Sequence, residues 1–232
     1  AGYFAICNAN IEDSDLDLVA ELLDALGQAL GKGLDKAILF GRNSADKQAM
    51  PLGIVTRILQ ESQPAGYPAT ARPWQDLHSS NVFSLASTLT GAALISSIVF
   101  ASGAIKGKYS RGEKVWVMNE KTYTKVVANA MAIDAGGAIV SGVNGTMPVA
   151  GGVIEVLNFV PDDIIIVGYF DLYTLAERRG TQFATSEHVR FIQDQTVFKG
   201  TARYDGAPVI AESFAAIGID GATPTATMTF AS

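Results

Sequence analysis

The stretch Ser14-Asp-Leu-Asp-Leu-Val-Ala-Glu-Leu-Leu-Asp-Ala-Leu-Gly-Gln-Ala-Leu30 decides how the chain begins to fold. Leu16, Val19, Leu22, Leu23, Leu26 and Leu30 recur at three- and four-residue intervals, which lines them along one side of an α-helix. Ser14 is a capping residue, and Asp15, Asp17 and Glu21 place negative charge at the helix's positive end. Continued through Leu34, Ala37 and Ile38 to a stop at Gly41, the pattern predicts a helix about 37 Å long. Gly27, Gly31 and Gly33 interrupt it, each costing about 1 kcal/mol relative to alanine. Two readings of Gly27 and Gly31 stand: a kink or helix end, or a flat face that another backbone approaches. The helix-breaking habit of glycine favours the first.

Beyond Gly41 the period dissolves. Pro51, Pro64, Pro68 and Pro73 punctuate a connection from Arg42 to Ser80, with a short apolar run at Gly53–Leu59. A second helix follows, capped by Thr90 and lined by Leu94, Ile95, Ile98, Val99 and Ile105. Lys114–Met118 reads as a buried strand, and Asn119 as the cap of a third helix with Tyr123, Val126, Val127 and Ala130 inward. Glycines at 136, 137, 142 and 145 make the next stretch a turning loop. Strands are then predicted at Val149–Leu157, Ile164–Phe170, Leu172–Glu177, Phe183–Phe191, Thr196–Tyr204 and Val209–Ile217, with Asp205-Gly206 as a hairpin signal. From Asp220 onward the chain reads as a loosely held terminus. Helices first, a mixed middle and strands last describe an α+β protein, not a doubly wound one.

Composition narrows the function. The 232 residues carry 17 basic and 23 acidic side chains, a net charge of −6, and 48% are apolar. That length can bury a core without staples. One cysteine, Cys7, and two histidines, His78 and His188, exclude disulfide scaffolds and Cys- or His-rich metal centres. The acidic balance argues against a dedicated nucleic-acid binder. Leu89–Ile105 is too short and too polar for a membrane span, and no signal peptide is visible.

The search for chemistry is mostly negative. Neither a Gly-x-Ser-x-Gly elbow nor a Gly-x-Gly-x-x-Gly turn is present. Gly103–Lys108 is one residue short of a phosphate loop and ends a helix where such a loop would start one. Asp13-x-Asp15-x-Asp17 opens like a calcium loop, but Leu18 stands where a sharp turn needs glycine, so helix-start acidity explains it better. His188 lacks a nucleophile and reads as a surface or satisfied core residue, and Cys7 as a small apolar one. Asp162-Asp163 reads as a solvated turn. Arg178-Arg179 is either a solvated strand end or one side of an ion pair across a subunit boundary. No catalytic, cofactor or metal residues are assigned.

Several segments, in order, resemble the major capsid proteins of tailed phages with the Hong Kong phage capsid fold. They are Asn10–Leu18, Leu34–Gly41 running into Met50-Pro-Leu-Gly-Ile54, Val115-Trp-Val-Met-Asn119 with Thr122, Ile164–Gly168 with Asp171 and Tyr173, Arg178-Arg-Gly180, Thr201–Gly206 and Ser213–Ala216. The resemblance implies a two-lobed α+β fold with a long spine helix, a peripheral-lobe sheet and an axial-lobe sheet flanked by helices. The peripheral lobe would comprise 1–53 and the long hairpin 179–207. The axial lobe would comprise 54–178 and 208–219, with 220–232 a loose tail.

The resemblance further implies a bacteriophage or prophage shell subunit, not an enzyme. It would assemble in the bacterial cytoplasm into pentamers and hexamers that enclose double-stranded DNA without sequence preference. Its partners would be further copies of itself, a scaffold, a maturation protease and a portal, with no membrane and no cofactor. The family's N-terminal arm and extended loop find no counterpart, so the chain reads as a trimmed core. The positions used for covalent cross-linking in some members fall near Asp194 and Thr201, which predicts no isopeptide chemistry. Asp134 and Asn144 in the glycine-rich loop, Arg178, Arg179 and Asp194 are the expected subunit-interface residues. Two other readings stay open: the shell of a protein nanocompartment, and an α+β enzyme or small-molecule binder using the dispersed carboxylates Asp162, Asp171 and Asp194.

Overall fold

The run Ile164-Ile-Ile-Val-Gly168 is buried at every position. A strand apolar on both sides must be covered on both sides, and in the computed structural model this strand is the centre of a five-stranded sheet. The structure describes residues 2–13, 18–42, 50–61, 75–131, 147 and 150–226. The elements are β1 (Gly2–Cys7), α1 (Asn8–Glu12), α2 (Leu18–Phe40), α3 (Ile54–Ile58), β2 (Val82–Ser84), α4 (Gly91–Ser102), β3 (Val115–Met118), α5 (Glu120–Met131), β4 (Val153–Val156), β5 (Ile164–Gly168), β6 (Tyr173–Arg190), β7 (Gln195–Pro208) and β8 (Phe214–Gly218).

The central sheet runs β2-β8-β5-β3-β4. The outer pairs β2/β8 and β3/β4 are parallel, and the inner pairs β8/β5 and β5/β3 are antiparallel. Alternation along β5 divides the core. Ile165 and Val167 pack with Leu94 and Ile98 of α4 and Val126 and Ala130 of α5. Ile164 and Ile166 pack on the other face with Leu39 and Phe40 of α2 and Ile54, Val55 and Ile58 of α3. Each such fully buried side chain contributes about 1.5–3 kcal/mol. Two buried donors of this core find backbone carbonyls. Trp116 donates its indole N–H to Gly151 O at 2.8 Å. Asn81, almost fully buried, donates to Phe214 O at 2.7 Å while its own carbonyl accepts from Ala216 N.

The second sheet runs β1-β7-β6, antiparallel throughout. α2 connects the two sheets. Its Leu26 and Leu30 lie over Gly2 and Gly200, which lack the Cβ that would hold the helix off, and its last turn enters the core beside α3. Gly41 and Gly53 cross there: Gly53 N donates to Gly41 O at 2.8 Å, and a Cβ on Gly53 would lie 2.3 Å from Gly41 N.

Several expectations need correction. α2 runs unbroken for 23 residues through Gly27, Gly31 and Gly33, so the preferred kink or helix end is not there. No described residue approaches these glycines closely either; a Cβ on any of them would meet nothing within 4 Å. The packing of Leu26 and the buried C-terminal turn outweighs the propensity cost. The predicted strands Leu172–Glu177 and Phe183–Phe191 are one strand, β6, whose bulges absorb the irregular stretch between them. Asp205-Gly206 is no hairpin turn: both residues lie inside β7, paired with Ala176 and Leu175. The turn is a single 3-10 turn at Phe191–Gln193, completed by Asp194 in the left-handed region at φ 48°. The segment after Gly218 is held at its start, with Ile219 N donating to Asp163 O and Gly221 N to Leu85 O, both at 2.8 Å. Ser14, Asp15 and Asp17 lie outside the described residues.

Candidate assembly surfaces

Among the described residues β6 and β7 are the longest strands, and they form one hairpin. Eighteen residues of β6 reach about 60 Å at 3.3 Å per residue. Its tip exposes three apolar side chains in four positions: Val189 at 71%, Phe191 at 78% and Ile192 at 98%. Side chains of this kind in solvent mark an interaction site when clustered. The tip is nevertheless well anchored. Asn8 Nδ2 donates to Asp194 Oδ1 at 2.7 Å, Thr196 Oγ1 donates to Asn8 Oδ1 at 2.7 Å, and Asn8 N donates to Asp194 O at 3.0 Å. Arg190 Nη1 donates to Gln195 Oε1 at 3.0 Å.

Of the residues expected at subunit boundaries, Asp194 sits at this tip. Arg178 is exposed, and it and Arg179 lie within β6 beside a bulge, not at a strand end. Asp134 and Asn144 lie outside the described residues.

Two open cavities flank α2. One, of about 510 Å³, lies between the glycine side of the helix and the second sheet, where Gly27, Gly31 and Leu34 face Phe183, Ala202 and Tyr204. The other, of about 340 Å³, lies where α2 leaves the β3–β4 side of the central sheet uncovered. Asp35, Ile38, Val117, Glu155, Leu157 and Phe170 line it. Desolvation by burial raises the carboxyl of Asp35 above its ordinary value.

The dispersed carboxylates Asp162, Asp171 and Asp194 are each held by a different set of partners. Asp162 accepts from Asn119 Nδ2 at 2.6 Å and pairs with Lys121 at 2.5 Å. Its pKa is held below the usual range by Lys121 first and then Asn119. Asp163 pairs with Lys125 at 2.5 Å, and Asp220 reaches the same ammonium at 3.0 Å. Asp162-Asp163 is thus a knot joining β5, α5 and the C-terminal segment, where a solvated turn was expected. The pairing has no local signature because its cations stand some forty residues earlier; Asn119, which caps α5 by accepting from Thr122 N at 2.8 Å and donates to Asp162 from the same carboxamide, was the available signal.

Asp171 is tied into a different loop. It accepts from Arg111 N at 2.9 Å, Gly112 N at 3.2 Å and Ser110 Oγ at 2.8 Å, and the Arg111 bond leads in lowering its pKa. A carboxyl held ionised in this way is the reverse of a tuned general acid. His188 is exposed on β6, and Cys7 is half-buried at the end of β1. Among the described residues no three His, Cys, Asp or Glu side chains gather as a metal site, and no helix is long and apolar enough to cross a membrane.

The described residues thus offer an exposed apolar hairpin tip and two open cavities as candidate contact surfaces. Comparison with known proteins supplies the family. The model of the phage capsid family matches residues 1–219, and the chain belongs to that family, the structural proteins of viral shells. No curated protein matches the sequence. Among solved structures it is similar to the capsid of an empty GTA particle, at 19% identity and TM-score 0.65 over 94% of this chain and 71% of that one. It is likewise similar to a structure from Mycobacterium phage Bobi, at 15% identity and TM-score 0.64 over 96% and 71%. A third is the satellite phage P4 procapsid including size determination (Sid) protein, at 11% identity and TM-score 0.58 over 94% and 74%. At these identities the likeness is one of fold: the α+β capsid fold, with α2 as its spine helix.

Proposed function

We propose that this chain is the subunit of an icosahedral phage or prophage shell, self-assembling into pentamers and hexamers that enclose double-stranded DNA. The peripheral lobe is 1–53 with 179–207, and the axial lobe is 54–178 with 208–219. The observation that carries the reading is the hairpin tip, whose Val189, Phe191 and Ile192 are solvated in the single chain and need a neighbour to cover them. An acidic subunit suits the contents: without dense positive charge, packaged DNA can settle without adhering. Assembly takes place in the bacterial cytoplasm, with scaffold, maturation protease and portal as partners, and the product is the virion capsid. Arg178, Arg179 and Asp194 of the peripheral hairpin, with Asp134 and Asn144, lie at subunit boundaries. Electron microscopy of the purified full-length protein tests the reading. Rings, sheets or shells are expected, and a folded protein that stays monomeric in every condition overturns it.

A further inference from the structure

The cavity under α2 combines two properties that a single chain leaves unresolved. Its walls are largely apolar, yet Asp35 and Glu155 both line it. Neither carboxylate has a hydrogen bond or ion pair among the described residues, although Lys106, Lys121 and Lys125 elsewhere all have acidic partners. Asp35 and Glu155 are both exposed at the mouth of this apolar opening, so a surface that covers it must bring a cation or leave their charge unpaired.

The same chain carries the complement on its other sheet. Lys199 and Arg203, four residues apart on β7, share one face and are exposed. No ion pair involves either of them among the described residues. Tyr3, 72% exposed, stands opposite Lys199 in the register of β1 and β7 and adds an aromatic ring to that face. Phe198 and Gly200, the alternate residues, face inward: Phe198 is buried and Gly200 lies under Leu26 and Leu30 of α2. Lys199 and Arg203 therefore point away from the helix that carries Asp35. One chain cannot bring these two cations to its own cavity. A second copy can.

We propose that a second copy of this chain docks on the cavity of Asp35 and Glu155, presenting the Lys199, Arg203 and Tyr3 face of its three-stranded sheet. The contact joins two different patches of one molecule, so repeating it gives a ring when the rotation closes. Opposite charge fixes the direction of the ring, and the apolar walls exclude water from the pairs. The inference rests on the shell-subunit reading and names one of the surfaces through which that subunit meets its neighbours.

Charge exchange in the full chain tests it, with assembly read by sedimentation velocity and fold by circular dichroism. The variant Asp35→Lys with Glu155→Lys should raise the concentration needed for assembly by at least about tenfold. Adding Lys199→Glu with Arg203→Glu should restore assembly. Should the reversed variant fail to fold, Asp35→Asn with Glu155→Gln replaces it and should weaken assembly in the same direction. If the folded cavity variants assemble like the parent, or if the reciprocal exchange restores nothing, the inference is overturned. Failure of the unaltered chain to assemble would instead overturn the shell-subunit reading itself.

Discussion

The carboxamide of Asn8 and the carboxylate of Asp194, 186 positions apart in sequence, meet at 2.7 Å. This pair ties the junction of β1 and α1 to the tip of the β6–β7 hairpin, and Thr196 Oγ1, bonded to the other end of the carboxamide, completes the tie. The left-handed Asp194 is thereby fixed in the turn that aims Phe191 and Ile192 outward. Asn8→Ala should cost about 1 kcal/mol of stability, the worth of an ordinary hydrogen bond. The loss should be concentrated at the tip. Amide exchange of residues 191–195 should accelerate more than that of β5, and equal acceleration throughout would contradict a local tie.

The tip residues themselves should separate assembly from stability. Phe191 and Ile192 are 78% and 98% exposed, so Phe191→Ser with Ile192→Ser removes little buried surface. Urea unfolding should shift by no more than about 0.5 kcal/mol. Assembly, followed by light scattering, should fall sharply. A variant that assembles normally would remove the hairpin tip from the interface.

Glycines in and around α2 should respond in opposite directions. A Cβ on Gly53 would lie 2.3 Å from Gly41 N, against backbone that cannot give way. Gly53→Ala should therefore destabilise the protein by at least about 1–3 kcal/mol, as overpacking does. At Gly31 a Cβ meets nothing within 4 Å. Gly31→Ala should stabilise the chain by up to about 1 kcal/mol, the helix-propensity difference. Thermal melting of the two variants beside the parent checks both signs.

Acid should loosen the 110–112 loop. Hydrogen bonds from Arg111 N, Ser110 Oγ and Gly112 N depress the pKa of Asp171 in the folded state. A group depressed on folding contributes stability that is present above its unfolded value, about 3.9, and lost as pH falls through the folded one. Asp171→Asn keeps the shape and removes the charge. Its deficit relative to the parent should be greatest near neutral pH and shrink below pH about 4. Urea midpoints at pH 7, 4 and 3 measure it; a deficit independent of pH would show that shape alone matters.

Much of this architecture is legible in the sequence where period and burial agree. Ile164–Gly168 and Val115–Met118 read as strands because both faces of the sheet are covered and nothing polar interrupts the runs. Asn119 reads as a cap because its side chain has one obvious use. The failures are equally physical. β1 has no alternation to reveal it, since Gly2 is there to make room for Leu26. Asp205-Gly206 has the composition of a turn, but Gly206 serves close packing: a Cβ there would meet Thr174 O at 2.8 Å and the Tyr173 ring at 2.9 Å. The true turn at Phe191–Asp194 contains neither glycine nor proline. Arg178 and Asp194, expected at subunit boundaries, lie within β6 and at the hairpin tip, whereas the cavity of Asp35 and Glu155 joins positions 120 apart and has no local signature. Asp134 and Asn144 lie outside the described residues.

Shell building by this subunit is open to direct observation. Electron microscopy of the purified full-length protein, across a range of concentration and ionic strength, tests it most directly. A shell subunit is expected to give five- and six-membered rings, or closed shells built from them. Particles that remain single subunits under every condition, with the fold intact by circular dichroism, would contradict it.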